Sequence, residues 1–560
     1  MSATPEPESG QPPATGVDFV GHASPRLSAA DLAEMATFGS EQQLEAGHLL
    51  FAAGEDNLDL FLVLEGTVEL FRPQDGGEVV VSTFAPGSFI GELSLLTGQR
   101  RVLSARAAQP ARIVVIAQPE FRRMMSLRPA LGEVILAALV ARREQLRAGE
   151  GAQAIRMIGS RFSAEAMSLR AFADHSRLPY TWIDVEEDPN GAEELMRAND
   201  IAREDIPAVI IATETLRRPT PAVFAEHLGL TYQPTPGYMF DLVVVGSGPA
   251  GLSAAVYGAS EGLSTVCLDA VAIGGQAGAS SRIENYAGFP NGISGEALTG
   301  RAAVQAMRLG ARLNSPCEVA RLRAEPGFNV VVLGDGSEIP ARAVIVASGA
   351  RYRRLPVEGL ERFEGAGVFY AATDLEARVC DGSAVVVVGG GNSAGQAAIY
   401  LGQHSCSVSI AIRRQDLAAT MSSYLIERIE ADPQITVIGG VEVTALAGDG
   451  HLEAVTLSTR EGKEQTLPCS GLFCFIGAQP ATEWLGECVT LDEHGFVLTD
   501  RQLPESAAAG GAEPLPFETS RPGVFAAGDV RHGSMKRVAA AVGEGSSAVR
   551  SVHERLATKL

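Results

Sequence analysis

The sequence predicts a multidomain chain: an N-terminal β-roll, a small α/β domain, then two Rossmann-like α/β domains. Three observations carry this. Short apolar, β-forming runs punctuated by glycine fill the stretch from about Leu27 to Ala117. Alternating strand and helix patterns over 151–230 read as a compact βαβαβ unit. From Tyr238 onward, Val-rich strands alternate with Ala-rich helices, and two of the strands run into glycine-rich turns.

Length and composition bound the function classes. At roughly 150 residues per domain, 560 residues allow three to four domains. Hydrophobic residues make up 46% and charged residues 20%, enough apolar material for sizeable cores. The 45 Lys and Arg against 67 Asp and Glu leave a net charge of −22, which argues against a nucleic-acid partner and against an anionic membrane surface. No apolar run reaches the ~18 residues of a spanning helix, and no secretory signal shape opens the chain, so the expected location is the cytoplasm. The 7 cysteines all follow position 266 and form no CxxC. That pattern argues against a disulfide framework and a zinc site, and reads as buried thiols.

In order along the chain, residues 1–25 read as a disordered tail rich in Pro, Ser, Gly and Glu. Leu60–Leu64 and Val79–Val81 read as strands with Gly54, Gly66, Gly76, Gly77 and Gly87 at turns. Pro119 to Arg147 reads as one helix. The next domain reads as strands at 154–159, 180–185 and 208–212 with helices at 163–177 and 191–199. Arg501 to Pro516 reads as a surface insertion.

The strand Asp241–Val245 enters Gly246-Ser-Gly248-Pro-Ala-Gly251, a helix follows, and the next strand ends at Asp269. Glycines let the backbone approach a pyrophosphate, the helix N-terminus faces its charge, and Asp269 is placed to accept from ribose hydroxyls. A second strand, Val385–Val388, enters Gly389-Gly-Gly391-Asn-Ser-Ala394, and the strand after it ends in Arg413-Arg414. Paired arginines there suit a 2′-phosphate, where an acid would repel it, so the second nucleotide reads as NADPH.

These turns, with Gly274-Gly-Gln276, Glu284-Asn285-Tyr-Ala-Gly-Phe-Pro290, Ala347-Ser-Gly349 and Pro522-Gly-Val-Phe-Ala-Ala-Gly528-Asp529, make residues from about 238 to the end resemble the low-molecular-weight thioredoxin reductases. The resemblance implies an FAD domain (238–366 and 480–560) holding FAD through Gly246, Gly248, Gly251, Asp269, Gln276, Asn285, Gly528 and Asp529. It implies an inserted NADPH domain (367–479) using Gly389, Gly391, Ala394, Arg413 and Arg414, and a homodimer. The family's redox CxxC falls on Ala371 and Asp374, neither of which forms a thiolate. Asp374 reads either as a helix cap or as a proton donor. Cys380, Cys469 and Cys474 are the candidates for a replacement thiol.

Residues 26–148 resemble cyclic-nucleotide-binding domains through Gly54-Glu55, Gly66 and Phe84-x-x-Gly87-x-Phe89-x-Gly91-Glu92-Leu-Ser-Leu-Leu96. The resemblance implies that Gly91 and Glu92 open a phosphate cassette and that Arg101, or Arg100, takes the cyclic phosphate. Val102 departs from the small or hydroxylated residue usual after that arginine. No helix-turn-helix follows, which argues against a transcription factor. Residues 151–235 resemble a thioredoxin or glutaredoxin domain on Ile206-Pro207-Ala-Val209, with Ser160 and Ser163 where cysteines would stand.

The expected function is an NADPH-dependent FAD oxidoreductase whose acceptor, small molecule or protein, the sequence does not name. A thioredoxin-disulfide reductase with a non-standard thiol relay, and a non-catalytic redox or cyclic-nucleotide signalling protein, are the alternatives.

Overall fold

The computed structural model describes residues 23–557 apart from Arg26, Asn57, 75–76, 92–93, Thr213, Pro236, Ser281, 405–406 and 505–512. The tail expected over 1–25, except 23–25, and the middle of the expected 501–516 insertion lie outside the described residues. The chain divides into two compact units: Met1–Phe51, Leu58–Leu95 and Ser104–Ala152 form the first, while Ala52–Asn57, Leu96–Leu103 and Gln153–Leu560 form the second.

The first unit is a β-roll of two antiparallel four-stranded sheets. One runs in the order Ser40–Leu44, Ala111–Ile116, Leu60–Glu65, Phe89–Ile90; the other runs Leu49–Phe51, Ser104–Ala107, Val68–Gln74, Gly77–Phe84. Alternating apolar residues put Phe51, Phe61, Val63, Val68, Phe84 and Ile113 into the space between them. The single helix expected over 119–147 is two, Gln118–Leu127 and Pro129–Ala148. Pro129 disfavours helical geometry at Arg128, which leaves the helical region at φ −127° and ψ 70°.

In the second unit, residues 155–217 form a sheet in the order Thr181–Asp184, Ile155–Gly159, Ala208–Ile211, Glu214–Arg217. Only the first pair is parallel; Ala208–Ile211 runs antiparallel to Ile155–Gly159. The expected βαβαβ order is present, in a mixed sheet to which a fourth strand adds, followed by a helix Pro221–His227.

Two further sheets carry the glycine turns. The first runs Arg312–Asn314, Thr265–Leu268, Phe240–Val245, Glu338–Val346, Phe328–Leu333, Val319–Glu325, and Val524–Ala526 adds in parallel to the end of Glu338–Val346. The second is all parallel: Val368–Phe369, Gly471–Cys474, Ala384–Val388, Ser407–Ile412, Ile435–Gly439. Both show the continuous Val/Ile runs of strands covered on both faces, with Val243, Val244, Val386 and Val387 at 1% exposure or less.

Candidate functional site

The first glycine turn joins Phe240–Val245 to the helix Pro249–Ser260. Gly246 has φ +104°, and a Cβ there would stand 2.2 Å from the Ala347 carbonyl oxygen. At Gly251 a Cβ would stand 1.7 Å from the Gly246 oxygen, so turn and helix touch through bare backbone. Gly248 caps the helix with no side-chain hydrogen bond, and the space beside it is open. The first N–H groups therefore face an open concavity, which is the chemistry an anionic pyrophosphate requires. The residues present fit a dinucleotide.

Asp269 is built into this turn. Its Oδ2 accepts from Ser247 N (2.7 Å) and Ser247 Oγ (2.9 Å), and its Oδ1 from Val271 N (3.0 Å) and Ala272 N (3.1 Å). Four donors use the carboxylate's four acceptor positions. Here Asp269 fixes the turn, and accepting from a ribose needs one of these bonds to yield. A cavity of about 860 Å³ opens beside it, lined by Gly246, Asp269, Gly275, Gln276, Ser348 and Ala350. Gln276 donates to the Ala350 carbonyl and also faces the second cavity below. Asn285 sits on an exposed loop between the bridged Ile283 and Ile293, outside both cavity linings.

Gly528 and Asp529 follow the strand Val524–Ala526. Gly528 N donates to Glu544 (2.8 Å), whose carboxylate also pairs with Arg531 at 2.8 Å. This pair, which no local sequence pattern signals, holds the turn. Burial raises the Asp529 carboxyl above its ordinary value, with Lys536 opposing and Glu544 reinforcing the shift. The nearby Tyr352, raised by burial and then by Asp529, lines the second cavity.

The second glycine turn repeats the first. Gly389 has φ +137°, with a Cβ position 2.3 Å from the Phe475 oxygen. Gly391 caps the helix Asn392–Gln403 without a side-chain bond and faces open space, and Ala394 is fully buried behind it. Asn392 accepts from Ser422 N (2.8 Å) and donates to Ser422 Oγ (3.0 Å), anchoring the loop after Arg413-Arg414. Both arginines are exposed, and neither guanidinium has a hydrogen bond or ion pair among the described residues. They stand available to a 2′-phosphate.

Ala371, where the sequence reading expects one of the redox pair, lines a cavity of about 560 Å³. Ala371 lines it with Gln276, Tyr352, Tyr370, Ser393 and Phe475, so it touches both halves of the dinucleotide machinery. Tyr370 Oη donates to Glu364 Oε1 at 2.7 Å, and Arg354 Nε donates to the same oxygen at 2.7 Å. Asp374 is the first residue of the helix Asp374–Val379. At the start of this helix Glu376 Oε2 accepts from Thr373 N (2.8 Å) and from its hydroxyl, and the Asp374 side chain lies outside the described residues.

Six described cysteines are free thiols, and none lines this cavity. Burial pushes the Cys469 and Cys474 thiols up to about 12, so both are protonated and poorly nucleophilic near neutrality. Cys380 is fully buried under Gly471.

In the front part, Gly91 is buried in the first unit, and Glu92 lies outside the described residues. Arg101 belongs to the second unit, 5% exposed; its N–H donates to Glu55 O (3.1 Å) and its carbonyl accepts from Gly54 N (2.7 Å). Sequence reading missed Arg142. Buried within the first unit, it donates to the carbonyls of Ala23 (2.8 Å), Phe89 (2.8 Å) and Gly91 (3.1 Å), and burial lowers it to about 10.

Two sheets whose parallel strands run into paired glycine cradles define an oxidoreductase of the two-dinucleotide class. The description "Pyridine nucleotide-disulphide oxidoreductase" matches residues 240–545, and "Cyclic nucleotide-binding domain" matches 41–128. A thioredoxin reductase from Mycolicibacterium smegmatis is 35% identical over 314 residues, 55% of this chain and 94% of that one. One from Listeria monocytogenes is 32% identical over 317 residues, 55% of this chain and 92% of that one. The solved T. acidophilum thioredoxin reductase superposes with a TM-score of 0.51 at 31% identity, covering 57% of this chain and 99% of its own. That from Lactococcus lactis gives a TM-score of 0.51 at 27% identity, with the same coverage. The chain belongs to the pyridine nucleotide-disulphide oxidoreductase family. It is a flavin oxidoreductase, and its cofactors are FAD and NADPH. Among the described residues no helix is long and apolar enough to cross a membrane.

Proposed function

We propose that this protein oxidises NADPH through bound FAD and delivers the electrons to an acceptor without a dithiol relay. The observation that carries this reading is Ala371 in the cavity between the two cradles, with no described thiol lining it. When bound, FAD supplies the two-electron chemistry linking NADPH to the acceptor. The chain's own residues do the rest. Gly246, Gly248 and Gly251 admit the FAD pyrophosphate to a helix N-terminus, Gln276 borders the flavin side, the Gly528-Asp529 turn lies near Tyr352, and Asn285, outside both cavities, is assigned to FAD by the family resemblance alone. Gly389, Gly391 and Ala394 form the NADPH cradle, and Arg413 and Arg414 select its 2′-phosphate.

The assignment of 238–366 with 480–560 to FAD and of 367–479 to NADPH belongs to this reading. It is supported by the strand Val524–Ala526 joining the first sheet from beyond the second. Residues 26–148 are assigned a cyclic nucleotide through Gly91, Glu92 and Arg101, supported by the family match over 41–128.

Anaerobic titration of the holoprotein tests the main claim. Two electrons per FAD are expected, with thioredoxin reduction at background; uptake of a second pair would overturn it. Calorimetry with cyclic AMP and cyclic GMP, on the parent and on Arg101→Ala, tests the front domain. Binding lost in the variant is expected, and no heat from the parent at millimolar ligand removes the assignment.

A further inference from the structure

The 153–235 module forms a wall of the cavity that holds Ala371. Its helix Ala164–His175 contributes Ala164, Met167, Ser168 and Ala171 to the lining. Ser163, where the thioredoxin resemblance expects a cysteine, caps this helix by accepting from Ala166 N (3.3 Å). The turn before it is seated on the second dinucleotide region through Phe162, which stacks on His451 with ring centroids 4.9 Å apart, and beside it a Cβ on Gly365, at the end of the first region, would stand 3.0 Å from Ala164 Cα. The far end is seated on the first: Arg177 Nε lies 3.7 Å from Glu296, and its guanidinium leaves no room for a Cβ on Gly300. The module thus touches both regions and supplies part of the lining of the cavity that Ala371 also lines.

We propose that this module makes the acceptor site a pocket for a small, planar, weakly polar oxidant of the quinone class and shuts out a folded protein partner. The inference rests on the function proposed above and names its substrate class. Phe369, Tyr370, Phe475 and Tyr352 line the cavity together with Met167 and Ala171, a lining that suits a flat conjugated ring. A space of about 560 Å³ is too small for a protein domain. The net step balances: NADPH gives up a hydride, the quinone takes two electrons and two protons, one proton comes from solvent, and NADP⁺ and a hydroquinone leave.

An introduced thiol tests the wall without relying on turnover. Ala371→Cys is made in the full-length holoprotein, and labelling above the parent background is measured with N-ethylmaleimide and with a polyethylene-glycol maleimide larger than the cavity. Reaction with the small reagent alone is expected, and adding Phe162→Ala and Arg177→Ala should admit the large one. Labelling by the large reagent without those changes overturns the wall; labelling by neither overturns the pocket. Met167→Trp should raise the KM for a soluble quinone about tenfold or more. Met167→Ala, which avoids overpacking, should lower the KM for a bulkier quinone, and an unchanged KM in both variants overturns the acceptor site. NADPH–ferricyanide turnover by the parent is read separately: its absence rejects the proposed function and leaves the labelling result standing.

Discussion

Gly251 has no spare volume, because one added methyl group would meet the Gly246 carbonyl at 1.7 Å. Gly251→Ala is therefore expected to purify without FAD and to unfold at lower temperature, read from the flavin absorbance per chain and the thermal midpoint. Arg413 and Arg414 lie at the other extreme, exposed and, among the described residues, unengaged. A hydrogen bond to a charged group is worth about 1.5–3 kcal/mol, so replacing both with Ala should weaken NADPH by roughly one to two orders of magnitude. NADH should hardly change, and equal losses for both nucleotides would refute the 2′-phosphate role. Asp529 carries a pH signature. Its carboxyl is raised by burial, so between the ordinary carboxylate value and the raised one the native state holds a proton that the unfolded chain has released. Its contribution to apoprotein stability is fully present below that window and falls as pH rises through it. Asp529→Asn should remove this loss and stabilise the apoprotein near neutrality while weakening FAD retention; a variant less stable than the parent at neutral pH would contradict the sign.

At the scale of elements, the glycine cradles were legible because each is local: a strand, a turn and a helix within about 30 residues. Arg142 and Glu544 were not legible, since their partners come from Phe89, Gly91 and Gly528, which no spacing rule connects to them. The fourth strand Glu214–Arg217 escaped notice because half of it is charged and it pairs only at an edge. The same limit hid the direction of Ala208–Ile211, whose apolar run is equally suited to parallel or antiparallel pairing. The start of the helix Asp374–Val379 offers a direct check on one side-chain contact. Thr373→Ala removes the hydroxyl facing Glu376 and should cost about 1 kcal/mol, the usual loss for a helix cap. A denaturant titration reads this, and a null effect would show that the hydroxyl adds nothing to the helix start.

For the whole molecule, the thiols separate a dithiol reductase from the function proposed here. Cys469 and Cys474, held near 12 by burial, should stay unreactive toward a thiol reagent at pH 8 in the native holoprotein and react once denaturant is added. Fast native labelling of either would revive the replacement relay. The strand Val524–Ala526 has a consequence of another kind. It completes a sheet whose neighbouring strand, Glu338–Val346, is finished long before the second parallel sheet has even been made. During synthesis the second sheet has all its strands first and can mature as a self-contained guest. The first sheet must wait, holding an unfilled edge at Val344–Val346 until the guest has been traversed and the loop behind it closed. Ribosome-bound chains halted between 480 and 520 should thus protect Val385–Val388 against hydrogen exchange while leaving Val344–Val346 open.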